Sequence, residues 1–306
     1  MKRALIAAAT LALAACGAAA DDAMLDVGGG RPGASQTFAP ANLPAFFDCV
    51  RERGATFVSA HRGGDGDGLA ENAIATFEST LAQAPAFLEV DVSRTHDGHL
   101  VLMHDDTVDR TTNGSGNVSA LTLAQFRALS LRDDDGNVLD AHPPSLRDAL
   151  DWAEGRTVLE LDVKRGVSYE DVAREVEEAS AMDRVIFITY SVDGASRLAR
   201  VAPGAIIYTT IRDERDLDTL ERRGVELSRI VAWLGDEQFS EDLVEALAAQ
   251  GVEARVGMFS RGDDFAGAAH AGIAGVAVND TLAAFREIDG ADGEEGFAAL
   301  QCLTAR

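Results

Sequence analysis

The 306-residue chain is short of positive charge. Lysine and arginine together number 27 against 51 aspartates and glutamates, which gives a formal net charge of −24 at pH 7. Nucleic acids and anionic membrane surfaces repel so acidic a chain, so we expect neither as a partner. An anionic substrate would need positive charge supplied locally, by a metal ion, an arginine or a lysine.

The chain also lacks a long apolar run. The apolar stretch at residues 4–15 follows two basic residues and is too short to span a bilayer. We predict an export signal over residues 1–15. It ends Leu13-Ala14-Ala15-Cys16, which resembles a bacterial lipobox, whose cysteine is lipidated; an ordinary signal peptide cut nearby is the alternative. Lipid on Cys16 would anchor an exported protein, facing the periplasm or cell exterior, without a membrane-spanning helix.

The rest of the chain divides into a tether and one domain. Residues 16–45 are rich in glycine, alanine and proline, which predicts a flexible tether. Residues 46–306 match the size of one α/β barrel. Eight short apolar runs occur there, and amphipathic stretches with helical spacing separate most of them, which predicts a (β/α)8 TIM barrel; an open doubly wound sheet is the alternative. The runs are 56–60, 87–92, 158–163, 185–190, 205–210, 230–234, 252–259 and 275–278.

A further apolar run, residues 100–103, is predicted to form a hairpin arm. It follows the second strand too closely for a parallel crossover, which needs about a dozen residues. We therefore expect it to turn back antiparallel at Asp97-Gly98. If those two residues form the turn, His104 falls opposite Asp91.

Cysteine is scarce. Beyond Cys16 the chain has only Cys49 and Cys302, one near each end of the predicted barrel. The first and last strands of a barrel pair, so its ends lie close together, and exported proteins meet an oxidising compartment. We predict a Cys49–Cys302 disulfide; two free buried thiols are the alternative.

Histidines and acids recur at the ends of these runs. His61 follows the first run, Glu89 and Asp91 lie within the second, and His104 follows the hairpin run. Alternate side chains of a strand share a face, so the two acids can hold one hard divalent cation. Two imidazoles can exchange protons near neutral pH. The set predicts metal-assisted phosphodiester cleavage.

A third segment adds more charge to this site. Glu160, Asp162 and Lys164 share one face of a strand whose other face is apolar. Inside a barrel such charges are costly unless they are paired or bind a metal, and a plain Asp162–Lys164 ion pair is the alternative. Both residues come last in the strand, at the end where barrel enzymes carry their chemistry.

Several of these motifs together resemble one known family. They are His61-Arg62-Gly63, Glu71-Asn72, Leu88-Glu89-Val90-Asp91-Val92, Asp97-Gly98 and His104-Asp105-Asp106-Thr107-Val108-Asp109-Arg110-Thr111-Thr112-Asn113-Gly114. The set is similar to the glycerophosphodiester phosphodiesterase family. The likeness is dense over residues 57–129, returns at 145–164 and thins towards Val278-Asn279-Asp280.

The resemblance implies a TIM barrel that uses one divalent cation to hydrolyse glycerophosphodiesters to glycerol 3-phosphate and an alcohol. By position, His61 and His104 match the catalytic histidines, Glu89, Asp91 and Asp162 the metal ligands, and Arg62 and Lys164 the cations around the phosphate. Carboxylate ligands favour Mg²⁺ or Ca²⁺. The family commonly has glutamate at position 162 and a tryptophan within the strand at 256–259, and these departures bear on the head group.

Two other functions remain open at this stage. Asp-Val-Lys at 162–164 is similar to the phospholipase D toxins of spider venom, so a lyase that releases cyclic phosphate from lysophospholipids is one. A non-catalytic envelope-binding lipoprotein is the other. Retention of both histidines and all three acids argues against the second.

Overall fold

The computed structural model describes residues 37–236, 239–294 and 296–306. The predicted signal peptide and Cys16 lie outside these residues. The described strands are β1 Phe57–Ala60, β2 Phe87–Arg94, β3 Leu100–Leu102, β4 Leu159–Val163, β5 Val185–Thr189, β6 Ile206–Thr210, β7 Ile230–Asp236, β8 Glu253–Met258 and β9 Gly275–Val278. The helices are α1 Leu43–Arg53, α2 Ile74–Gln83, α3 Leu123–Arg127, α4 Leu146–Ala153, α5 Tyr169–Glu178, α6 Val192–Val201, α7 Glu214–Arg222, α8 Glu241–Ala249, α9 Phe265–His270 and α10 Thr281–Ala291.

The sheet closes on itself. Its order is β1-β9-β8-β7-β6-β5-β4-β2-β3, and β1 also pairs with β2, so eight parallel strands form a ring. The strands fall on the eight apolar runs, and the predicted (β/α)8 barrel is confirmed. Among the described residues, none of the helices is long and apolar enough to cross a membrane.

The hairpin arm pairs one residue away from the predicted register. β2 and β3 are antiparallel, with Val92 opposite Leu102, and the Met103 N–H donates to the Asp91 carbonyl at 2.9 Å. Met103, and not His104, therefore lies opposite Asp91. The cause is a three-residue loop, 96–98, in place of a two-residue turn, with Gly98 at φ +89°.

Phenylalanines fill the end of the barrel where the strands begin. The rings of Phe57 and Phe87 lie 5.0 Å apart inside the ring of strands. Helix α1 covers them with Phe46 and Phe47, and Phe38 packs 5.0 Å from Phe87. All five side chains are buried. Aromatic packing of this density makes α1 part of the barrel core.

The same end is joined by the disulfide between Cys49 and Cys302, with Cα atoms 5.6 Å apart. This is the pair expected from the sequence. Residues 37–45 also belong to the domain, since the Phe38 N–H donates to the Arg156 carbonyl at 2.7 Å and Leu43 is buried. The predicted tether of 16–45 therefore extends too far at its C-terminal end, because its last apolar residues pack on the barrel.

Candidate active site

The register of β2 against β4 stacks two acidic pairs inside the barrel. Glu89 lies beside Glu160, and Asp91 lies beside Asp162. Neighbouring residues of parallel strands send their side chains to the same face, so four carboxyl groups enter the barrel in two layers. The two strands are separate in sequence, so only the closed sheet brings these pairs together.

The deeper carboxyl group, Glu160, is fully satisfied. Arg255 donates to its Oε2 at 2.5 Å, Ser59 donates to the same atom at 2.5 Å, and Tyr208 donates to Oε1 at 3.0 Å. Arg255 and Glu160 are both buried, and their charges cancel. The predicted inward charge of Glu160 is therefore a matched structural pair.

The outer carboxyl groups are not matched in this way. Glu89, Asp91 and Asp162 are buried, and each offers an oxygen within 4.8 Å of the others. Lys164 contacts Asp91 at 2.6 Å and Asp162 at 2.5 Å, so the Asp162–Lys164 pair left open above is present. Arg62 adds a longer ion pair, with its Nε 3.9 Å from the Asp91 Oδ2. Three carboxyl groups still outnumber these two cations, and a divalent cation would neutralise the remainder. Burial, together with Asp91 and Asp162, raises the pKa of Glu89 well above its ordinary value.

Lys164 is the only lysine of the chain beyond Lys2. Burial lowers its pKa, but the carboxylates of Asp91 and Asp162 outweigh that effect and raise it above the ordinary value. Lys164 therefore stays charged. A cation held this firmly among acids suits the binding of a phosphate oxygen.

Two loops orient the acids. The Arg62 N–H donates to Glu89 at 2.7 Å, from a backbone at φ +54°. Asn72 makes two hydrogen bonds to Asp91: its Nδ2 donates to Oδ2 at 2.6 Å, and its Oδ1 accepts from the Asp91 N–H at 2.9 Å. Asn72 has φ +56°, and asparagine is among the non-glycine residues that most readily adopt this conformation. The Arg62 Nε is buried without a hydrogen-bond partner, which leaves a donor for a ligand.

Both predicted histidines line the same cavity of about 310 Å³ as the three acids and Lys164. The Nδ1 of His61 lies 2.9 Å from the Asn279 Oδ1. The Asn279 Nδ2 donates to the Phe259 carbonyl at 3.2 Å, which orients the amide so that its oxygen faces His61. His61 therefore carries its hydrogen on Nδ1 and keeps a free lone pair on Nε2. Burial lowers the pKa of His61 and favours this neutral form.

His104 is held by a charged network. Its Nδ1 lies 2.7 Å from Asp105, and Arg110 holds Asp105 with hydrogen bonds of 2.7 and 3.0 Å. Arg110 also donates twice to Glu71 at 2.8 Å, and Glu71 accepts from Arg62 at 2.8 Å. Hydrogen bonds from Arg110 and then from His104 hold the pKa of Asp105 far below its ordinary range. The network links the loops that carry the two histidines.

The structure brings all seven predicted site residues to the end of the barrel where the strands finish, as expected for barrel enzymes. It also adds residues that sequence reasoning did not assign: Asn72, Glu71, Asp105, Arg110, Asn279, Tyr190 and Trp233. Glu71, Asn72, Asp105, Arg110 and Asn279 stand inside the motifs that carry the family resemblance, and those motifs could have pointed to them. Tyr190, whose hydroxyl donates to Asp162 at 2.6 Å although most of the residue is exposed, had no such signal.

Comparison with known proteins agrees with this geometry. The model of the glycerophosphoryl diester phosphodiesterase family matches residues 61–283. A glycerophosphodiester phosphodiesterase of Caldanaerobacter subterraneus is 32% identical over 155 residues, which are 48% of this chain and 63% of that protein. Glycerophosphodiester phosphodiesterase 1 of Rattus norvegicus is 30% identical over 63% of this chain and 56% of its own length. The chain thus spans less than two thirds of these relatives.

Solved structures share the fold over a greater length. A glycerophosphoryl diester phosphodiesterase from Parabacteroides distasonis superposes with a TM-score of 0.77 at 26% identity, covering 84% of this chain and 95% of that one. A phosphodiesterase from Oleispira antarctica superposes with a TM-score of 0.61 at 22% identity, covering 78% and 99%. The family match spans most of the barrel and includes both histidines and all three acids, and the chain belongs to the glycerophosphoryl diester phosphodiesterase family.

Proposed function

We propose that this protein hydrolyses glycerophosphodiesters to glycerol 3-phosphate and an alcohol, using a divalent metal ion and two histidines. The observation that carries the proposal is the cavity that holds His61 and His104 beside three buried carboxylates. Membership of the family and the Oleispira antarctica neighbour, whose structure contains the product sn-glycerol-3-phosphate, support it.

Glu89, Asp91 and Asp162 would hold the metal ion. Their donor atoms are all oxygens and no cysteine lies among them, which suits Mg²⁺ or Ca²⁺. The bound ion would offset negative charge on a nonbridging phosphate oxygen. Lys164 and the Nε of Arg62, which makes no hydrogen bond within the described part of the protein, would bind phosphate oxygens from the protein side.

The two histidines would divide the proton transfers. His61 is neutral with a free Nε2, so it can accept a proton from the nucleophile. The nucleophile would be the neighbouring glycerol hydroxyl, which displaces the alcohol and forms a cyclic phosphate, and water would then open that phosphate to glycerol 3-phosphate. His104 has the Asp105 carboxylate at its Nδ1, which offsets positive charge on the ring, so it can donate a proton to the departing alkoxide. Each transfer typically contributes about 10²–10⁴-fold to the rate.

Phosphorus NMR tests this function directly. Purified protein with Mg²⁺ or Ca²⁺ is expected to convert glycerophosphocholine to glycerol 3-phosphate, and a chelator should stop the reaction. A cyclic phosphate that accumulates from lysophosphatidylcholine would instead indicate the lyase. Absence of turnover on both substrates with either metal would contradict an enzymatic role.

We also propose that the protein is exported and held at a membrane by lipid on Cys16. The N-terminal pattern over residues 1–16 supports this, as does a disulfide, which persists in oxidising compartments. Expression with a clickable palmitate analogue is expected to label the wild type and not Cys16→Ser. Equal labelling of both proteins would rule out this anchor.

A further inference from the structure

One strand of the barrel contains a bulge beside the candidate site. Trp233 of β7 lies opposite Arg255 of β8, but Asp236 lies opposite Gly257, so three steps along β7 match two along β8. Gly235, at φ +103°, absorbs the extra residue. Without the bulge Gly235 would face Gly257, and Asp236 would point to the other side of the sheet. Bulges that redirect a side chain are frequent beside active sites.

The redirected carboxylate meets two aromatic rings. Asp236, Trp233 and Phe259 all line the cavity that holds the histidines and acids. A Cβ at position 257 would lie 2.6 Å from the Asp236 Oδ1, 2.7 Å from the Trp233 ring and 2.5 Å from the Phe259 ring. The three groups can converge only because Gly257 has no side chain.

Asp236 has no partner in the described part of the chain. It is exposed and makes no hydrogen bond or ion pair with another described residue. The nearby guanidinium of Arg255 stacks on Trp233 at 5.2 Å but is paired with Glu160 at 2.5 Å. The β7–β8 side of the cavity therefore presents an uncompensated carboxylate and aromatic faces, in contrast to the side that carries Lys164.

We propose that Asp236, Trp233 and Phe259 bind the ammonium group of the substrate's alcohol. Aromatic faces attract cations through their quadrupole, and a neighbouring carboxylate adds direct charge attraction. A neutral polyol would gain neither. This inference rests on the proposed function and narrows its substrates to glycerophosphodiesters of amino alcohols, of the choline or ethanolamine type.

The test compares one cationic and one neutral substrate. In wild-type protein, kcat/KM for glycerophosphocholine is expected to exceed that for glycerophosphoglycerol by about tenfold or more, since an acid and aromatic faces favour a cation. Asp236→Asn should remove most of this preference, with less than a twofold change for glycerophosphoglycerol. Gly257→Ala should reduce the preference as well, because its Cβ pushes the three groups apart.

Asp67→Asn is the matched control. Asp67 is an exposed acid that follows β1 at the same end of the barrel and does not line the cavity. The Asp67→Asn variant loses the same charge as Asp236→Asn and should keep the preference for glycerophosphocholine. Equal kcat/KM on the two substrates, or equal losses on both in Asp236→Asn, would overturn the inference while leaving the hydrolase intact.

A binding measurement separates this inference from the proposed function. Saturation-transfer NMR should detect choline on wild-type protein and on Asp67→Asn, and a much weaker signal on Asp236→Asn. If no glycerophosphodiester is turned over, the hydrolase proposal fails, and the choline measurement still decides on the subsite. Absence of a choline signal from the wild type would overturn it.

Discussion

The two ends of the barrel differ in how their buried carboxyl groups are paired. Where the strands begin, Phe57 and Phe87 pack under α1, and Glu253 is buried there with Arg51 as its partner. Where they finish, three buried carboxyl groups face, among the described residues, only Lys164 and the more distant Arg62. A fold built for stability alone would not bury unmatched acids, because each costs free energy in a low-dielectric environment. The contrast indicates which end is kept for stability and which for chemistry.

The histidines should show the largest effect at the chemical end. His61→Ala and His104→Ala are each expected to lower kcat by about 10²–10⁴-fold, because in the proposed mechanism each removes one proton transfer. Neither ring belongs to the buried core, so Tm should stay close to that of the wild type. Assays on glycerophosphocholine with parallel thermal melts check this. A rate near that of the wild type in either variant would contradict its role.

Phe57→Ala should destabilise the protein at the end of the barrel where the strands begin. Phe57 is fully buried among Phe46, Phe47 and Phe87, and such truncations cost about 3–5 kcal/mol of unfolding free energy. Activity per folded molecule should change little, since the residue lies in the layer farthest from the cavity. Urea denaturation measures the loss, and exposed Val138→Ala is the control, with an expected change within about 0.5 kcal/mol. A stable Phe57→Ala protein would show that α1 does not depend on this cluster.

Glu253, at the end with the phenylalanines, should make the free energy of unfolding depend on pH. Burial raises the pKa of Glu253 to about 7, although Arg51 opposes this. Between the ordinary value and pH 7 the folded state then binds more protons than the unfolded state, so stability should fall as pH rises through this window. This shift in the pKa of Glu253 corresponds to a loss of about 3 kcal/mol of unfolding free energy across the window.

Urea melts from pH 4.5 to 8 test this prediction. Glu253→Gln should flatten the dependence by about that amount, while the exposed Glu245→Gln should not alter it. A pH profile unchanged by Glu253→Gln would mean that the carboxyl group is ionised throughout, as a simple ion pair with Arg51.

Arg110→Lys should have the smallest effect and refine the comparison. Lysine keeps the charge but cannot make the paired hydrogen bonds to Asp105 and Glu71, so the hold on His104 loosens. We expect kcat to fall by about tenfold with KM unchanged, as for a positioning residue whose loss costs about 1.4 kcal/mol. Added guanidinium should partly restore Arg110→Ala, and added ammonium should not. A rise in KM alone would assign Arg110 to substrate binding instead.

Much of the fold could be predicted from local patterns. Eight apolar runs separated by amphipathic helices predict the strands and their closure, because the period of the pattern depends only on backbone geometry. The hairpin shows the limit. The short connection was enough to predict that the hairpin is antiparallel. Its register could not be predicted, because it depends on the length of the loop, and the loop contains Gly98 in a left-handed conformation.

The candidate site shows the same division. Alternation alone places Glu89 and Asp91 on one face of a strand, and Glu160 and Asp162 on one face of another. It cannot tell that Glu160 is neutralised by Arg255, which comes from a strand much later in the chain. The role of Asn279 in setting the tautomer of His61 was equally out of reach.

The sequence by itself determined the family, the strands and the chemical types of the groups that could act, because these depend on residue identity and near-neighbour spacing. Only the tertiary structure decided which charges are matched, which group orients each histidine and how the bulge at Gly235 directs Asp236 into the cavity. The physical reason is that a buried charge is stabilised by whatever partner reaches it. In a closed barrel that partner comes from a segment distant in sequence, as Arg255 does for Glu160.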